Sequence, residues 1–235
     1  MHIFYTENPA ADIVQLSPEE SHHCAKVLRL KPGQEIGFVD GSGGMGEAVL
    51  LEVSSKNTVA SVKEKRMQPA RPFRLHMAVA PTKSIDRFEW FLEKATECGI
   101  EEITPIICAQ SERSVIKPDR LKKILVAAMK QSQRAWLPVL NETVKYKDFM
   151  KTIDVATPGY IAHCAPGQKV PLREVYSAGS DALILIGPEG DFNEEEVRMA
   201  MDKGMQAISL GENRLRTETA ALVSCMGVNF LNGEF

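Results

Sequence analysis

Before residue 67 the apolar positions alternate with polar ones in short runs, over 34–39, 46–54 and 57–66, and a period of two predicts strands. The turn DGSGG joins the first two runs. One helix precedes them. In SPEE at 17–20, Ser17 is an N-cap, Pro18 occupies N1 and Glu20 occupies N3, a capping box that starts a helix running to about Leu28. So few strands close most readily as a small β-barrel. The prolines of MQPARP, 67–72, then mark a boundary that divides the chain into domains of 1–70 and 71–235.

Beyond residue 72, strand-like runs alternate with helical periodicity. The order is FRLHMAVA (73–80), a helix over 86–98, EITPII (102–107), a helix over 119–135, GYIAHC (159–164), ALILI (182–186), a helix over 194–203, AISL (207–210) and a last helix from about 218. This alternation predicts an α/β domain with a largely parallel sheet. In the helix over 86–98, Asp86 is the N-cap and Glu89 sits at N3, while Phe88, Phe91, Leu92 and Ala95 share one face and Gly99 takes C′. The helix over 119–135 turns Leu121, Ile124, Leu125, Ala128, Ser132 and Ala135 inward and shows Arg120, Lys123, Lys130 and Arg134 to solvent. For the helix over 194–203, Asn193 caps, Glu196 closes the box, Phe192 staples to Val197 and Gly204 terminates.

Composition narrows the class. No run approaches the roughly 20 apolar residues of a membrane span, and MHIFYTENPA lacks a secretory layout, so a cytoplasmic chain with no membrane partner is expected. The five cysteines form no C-x-x-C pair, which points to reduced thiols and no metal. A net charge of −3 hides a basic middle: from Arg113 to Arg134, seven cations face Asp119 alone.

Two loops carry candidate chemistry. In LILIGPEGDFNEEEV, 183–197, an apolar strand turns through glycine into a helix N-terminus, the usual seat of a phosphate. Here the seat is acidic, with Glu189 and Asp191 in the turn and Glu194, Glu195 and Glu196 in the first helical turn, so a neutral or cationic ligand is expected. Capping explains Glu194 to Glu196 whatever the loop binds, but not Glu189. In LGENRLRTETAAL, 210–222, Thr217 or Thr219 can cap the last helix, and Arg214 and Arg216 flank Leu215. Two such loops at adjacent strand ends make a crevice.

IGPEGDFNEEEV followed by ISLGENRLRTETAA resembles the paired signature of the SPOUT class of S-adenosylmethionine-dependent RNA methyltransferases, and in particular the 16S ribosomal RNA (uracil-N3)-methyltransferase family. HHCAKVLRLKPGQEI (22–36) is similar to that family's N-terminal RNA-binding, PUA-like barrel, and EKATECGI, SERS and KQSQR resemble its intervening motifs. The chain departs from the pattern at Asp191, where a second glycine is usual, at Cys98 and at Arg214. The resemblance implies a trefoil-knotted α/β domain and a homodimer with the methyl-donor site at the knot. Its activity would be methylation of N3 of uridine 1498 in 16S ribosomal RNA within the small subunit. It further implies an S-adenosylmethionine site of Ile186, Gly187, Pro188, Gly190, Leu210, Gly211, Leu215, Thr217, Thr219 and Ala220, with Glu189 either touching the donor or bracing the loop and His163 either lining the same site or structural.

Chemistry adds one role. Uridine N3 carries a proton and is a poor nucleophile until it is lost, and Arg216 is the candidate to stabilise the anionic ring; a phosphate clamp, or a pair with Glu218 or Glu189, is its other reading. Arg113, Gln131 and Arg134 on the basic stretch, with Arg29 in the barrel, are the candidate RNA contacts. Three alternatives stay open: a 2′-hydroxyl or another RNA position as target, an RNA-binding protein without transfer activity, and an enzyme for another nucleotide cofactor. The absence of G-x-G-x-x-G counts against the last.

Overall fold

The alternating runs before residue 67 form part of a five-stranded sheet in the computed structural model, which describes residues 1–7, 9 and 12–234. Its strands are β1 (Ile3–Tyr5), β2 (Ile13–Leu16), β3 (Glu35–Val39), β4 (Gly44–Val53) and β5 (Thr58–Met67), in the order β1-β3-β4-β5-β2. β1 and β2 are too short to show a period and were not expected. They form the two edges, and Thr6 Oγ1 donates to Gln15 O at 3.2 Å, so the sheet curls until its edges are joined by a side chain. Phe4, Val14, Leu16, Cys24, Ile36, Phe38, Leu50 and Ala60 fill the interior. Helix α1 (Pro18–His22) starts with Ser17 Oγ accepting the Glu20 N–H at 3.2 Å and continues as a π-helical turn over His23–Val27. Val126–Leu137 belong to this same compact unit with Met1–Ala70.

The second unit comprises Arg71–Leu125 and Pro138–Phe235. Its strands are β6 (Leu75–Val79), β7 (Glu102–Ile107), β8 (Val139–Leu140), β9 (Val144–Lys145), β10 (Gly159–Ala162), β11 (Val170–Pro171), β12 (Ala182–Ile186) and β13 (Gln206–Ser209). They form a parallel sheet in the order β11-β13-β10-β12-β6-β7-β8, with β9 also on β7. The helices are α2 (Ile85–Cys98), α3 (Pro118–Gln131, which runs on into the first unit), α4 (Tyr146–Thr152), α5 (Leu172–Val175), α6 (Glu194–Asp202) and α7 (Thr217–Leu231). α4 and α6 pack on the face that carries Ala78, Ile161, Leu183 and Leu185. α7 packs against β6, β12 and α2. Strands sandwiched between layers are buried on both faces, which is why β12 reads as an unbroken apolar run.

Some expected details differ. α2 begins after Ser84, without a side-chain cap, and Glu89 is drawn instead to Arg120 Nε at 2.6 Å. α3 ends at Gln131, because Gln133 adopts a φ of 57°, and Ala135 is buried beside Val39 and Met129 in the first unit. Lys130, expected in solvent, pairs with the buried Glu20. Glu20 is thus spent on a cation over a hundred residues away. Neither Thr217 nor Thr219 caps α7; Arg216 holds the cap position through its main chain alone.

Candidate functional site

From β6 the chain moves outward to β7 and then β8, whereas β12, β10 and β13 lie on the other side, so the strand order turns at the β6/β12 pair. Open parallel sheets bind ligands beyond the carboxyl ends of strands at such a point. Four loops meet that edge, residues 80–84, 108–113, 187–193 and 210–216, following β6, β7, β12 and β13.

The loop after β12 is fixed from several sides. Thr217 Oγ1, buried at the start of α7, donates to Gly187 O at 3.1 Å. The Lys83 N–H donates to Glu189 Oε1 at 2.9 Å, joining the loops after β6 and β12. Arg113 holds the first of these in turn, its guanidinium donating to Thr82 O at 3.1 Å and Lys83 O at 2.7 Å. A Cβ at Gly190 would lie 2.6 Å from Gln110 Oε1 and 2.9 Å from Gln110 Cβ, so close packing on the loop after β7 requires glycine there. Glu196 bonds both ways: Oε2 accepts the Asn193 N–H at 3.0 Å and closes the capping box, while Oε1 accepts the Ala109 N–H at 2.7 Å.

Asp191 accounts for its own departure from the glycine pattern. Its φ is 69°, left-handed backbone that glycine takes freely and aspartate tolerates when its side chain bonds locally. Oδ1 accepts the Phe192 N–H at 2.9 Å and Oδ2 the Cys164 N–H at 2.7 Å, so the carboxylate ties the turn to the end of β10.

His163 sits one residue past the register pair Ala162↔Ile186. Its Nδ1 is buried and has no hydrogen-bond partner among the described residues. Burial, and then the charge of Lys169, hold this imidazole below the usual histidine range, so it is neutral at pH 7. Such an orphaned polar atom beside the crevice calls for a partner. Glu218 Oε2, in the first turn of α7, is orphaned in the same way, with Arg87 Nε 3.9 Å from its other oxygen.

The loop 210–216 is more open. Leu210 and Leu215 are half-buried, Gly211 has a φ of 130°, and Arg214 reaches Glu189 O at 3.4 Å. Arg216 is exposed, and its side chain carries no hydrogen bond or ion pair among the described residues. Thr219 and Ala220 follow, half-buried, with the Ala220 N–H on Arg216 O at 2.7 Å. The structure thus gathers Ile186 to Gly190, His163 and the 210–220 segment at one edge of the sheet. It also adds Lys83 and Ala109, which act through main-chain N–H groups that leave no sequence signature, and Gln110, whose side chain packs on Gly190.

The expected RNA contacts divide between the units. Arg113 belongs to the second and is committed to two carbonyls. Arg29, Gln131 and Arg134 belong to the first; Arg29 and Gln131 are exposed, and Arg29 adopts a φ of 55°.

Comparison with known proteins places this arrangement. Residues 69–229 match the RNA methyltransferase domain family and residues 16–63 match the RNA methyltransferase PUA domain. The chain is 29% identical over 216 residues to the ribosomal RNA small subunit methyltransferase E of Rickettsia conorii, covering 92% of this chain and 88% of that one. Among solved structures, a probable rRNA-methyltransferase from Porphyromonas gingivalis superposes with a TM-score of 0.89 at 36% identity over 99% of both chains. The ribosomal RNA small subunit methyltransferase E of Neisseria gonorrhoeae, solved bound to S-adenosyl methionine, gives 0.85 at 26% identity over 98% of both. With the loops, the sheet order and both domain matches in agreement, the chain belongs to the RNA methyltransferase family whose catalytic domain follows a PUA domain.

Proposed function

We propose that this protein transfers a methyl group from S-adenosylmethionine to N3 of one uridine in the 16S ribosomal RNA of the small subunit, working as a cytoplasmic homodimer. The observation that carries the reading is the tied pair of loops at the β6/β12 turning point, beside the orphaned Nδ1 of His163. The residues fit the donor. Gly187 and Gly190 keep the main chain bare, and the Glu189 and Asp191 carboxylates leave the loop without the positive charge a phosphate would require. When bound, S-adenosylmethionine supplies an electrophilic methyl on a cationic sulfur.

The chain's own groups do the rest. Ile186 to Gly190 with Leu210, Gly211 and Leu215 would hold the donor through main-chain groups, and His163 Nδ1 would take one of its polar atoms. Thr217, Thr219 and Ala220 fix the far wall, at the start of α7. Arg216, whose side chain has no partner among the described residues, would stabilise the charge on the uracil ring as N3 gives its proton to solvent; N3 then takes the methyl group and the donor leaves as a neutral thioether. Holding N3 in line with the methyl group is orientation work, which suits loops locked by this many hydrogen bonds. Arg29, Gln131 and Arg134 would bind RNA phosphates, positioning without reading sequence, so the choice of uridine would come from the shape of the assembled subunit.

The test is transfer of labelled methyl to small subunits lacking the modification, to naked 16S rRNA and to bulk tRNA, with the product nucleoside identified. Label on N3 of a single uridine in the subunits is the expected result. Label on a ribose hydroxyl, or on tRNA alone, overturns the assigned target.

A further inference from the structure

The second unit also contains a cavity of about 440 Å³ that none of the four loops touches. It opens at the other end of the sheet, where Arg74 precedes β6 and His76 lies in it, Glu102 and Thr104 lie in β7, and Ala182 and Leu183 begin β12. Five residues of β12 at about 3.3 Å each put roughly 16 Å between this edge and the 187–193 loop. The volume falls within the range of small-molecule sites.

Its polar wall is a connected set. Asn141 Nδ2 donates to Glu102 Oε1 and to Thr104 Oγ1, both at 2.7 Å, His76 Nε2 lies 2.7 Å from the same hydroxyl, and Arg74 pairs with Glu102 Oε2 at 3.1 Å. Phe149, Ile153 and Leu183 supply the apolar wall. Around the cavity stand four carboxylates, Glu102, Glu142, Asp154 and Asp181, against the single charge of Arg74. Burial keeps His76 below the usual histidine range, so it adds no charge at pH 7. Asp181 Oδ1 accepts the Arg74 N–H at 2.7 Å and Asp154 Oδ1 that of Ala156 at 2.9 Å, which fixes both carboxylates and leaves each a second oxygen.

An anion would be repelled here. A lone metal ion is also a poor match, because among the described residues no three His, Cys, Asp or Glu converge as its ligands would. Carboxylates spaced around an apolar wall suit an extended ligand with separated charges. We propose that this cavity binds a small aliphatic polyammonium ion, with its ammonium groups on the carboxylates and its methylene stem against Phe149, Ile153 and Leu183. The site stands apart from the methyl-transfer edge and does not depend on the function proposed for it.

The experiment is a calorimetric titration of the full chain with spermidine at physiological ionic strength, repeated on the double variant Glu142→Gln, Asp154→Asn. Both side chains are exposed and keep an oxygen acceptor, so the fold is preserved. One-to-one binding that weakens about tenfold in the variant is expected, a change of about 1.4 kcal/mol. The Asn141 side-chain amide resonance should shift on binding. Absence of binding, equal binding by the double variant, equal displacement by magnesium chloride, or preferential binding of adenosine monophosphate each overturns the proposal.

Discussion

Asp191 shows how one side chain stands in for glycine. The left-handed backbone costs an ordinary residue about 1–2 kcal/mol, and here two main-chain N–H groups on the carboxylate offset it. Asp191→Ala should therefore lower stability by about 2 kcal/mol in urea unfolding, whereas Asp191→Gly should recover most of that while losing the tie to Cys164. Thr217 poses a related test. Thr217→Val keeps the volume but removes the donor to Gly187 O, for about 1 kcal/mol of stability and a weaker donor affinity by calorimetry. Arg216 should behave differently, since its side chain has no partner among the described residues. Arg216→Ala is expected to leave unfolding and donor affinity unchanged while lowering kcat about a hundredfold, with Arg216→Lys retaining part of the rate. An equal loss of donor affinity would move Arg216 from the reaction to binding.

Among the elements, α6 is the most completely specified, and its cap joins two strands' loops. Removing both carboxylate bonds with Glu196→Ala should cost about 2–3 kcal/mol and loosen residues 108–113 in amide exchange, while Glu196→Gln should keep the Ala109 tie and lose less. That cap was legible in the sequence because Asn193 and Glu196 are three residues apart. β12 was legible as well, since burial on both faces leaves a run of five apolar residues between Asp181 and Gly187. The tie from Lys83 to Glu189 was not, because the donor is a main-chain N–H, which every non-proline residue possesses, and the partners are 106 residues apart. Distance hid Glu20 from Lys130 for the same reason, and that pairing turned a presumed solvent-facing lysine inward. The two glycine loops could be read as a crevice. Which backbone atoms would close it could not.

For the whole molecule, two half-buried histidines set an acid limit. Burial holds His76 and His163 below the ordinary value of 6.5, so an unfolded chain binds protons there that the folded one refuses. The unfolded state then carries the excess of protons, and stability must rise with pH. Their effect is absent well above pH 6.5 and grows as pH falls through that value. The melting temperature should be level between about pH 7 and 8 and decline below about 6.5, and the double variant His76→Gln, His163→Gln should flatten the decline. An unchanged slope in the variant would assign the acid sensitivity to other groups.

The sheet order also dictates when this site comes into being. β6 lies between β7, next in the chain, and β12, whose first residue Ala182 pairs with Leu75 about a hundred residues earlier. A nascent chain emerging from its N-terminus therefore holds β6 with one edge bare until β12 has been made, and the closing bond from Thr217 arrives later still. Loop closure over such spans is slow, so the second unit should form on the millisecond-to-second scale of non-local folds. Throughout that interval an apolar strand edge stays open to other chains, and the demand for chaperones falls on the time between synthesis of residue 79 and that of residue 186.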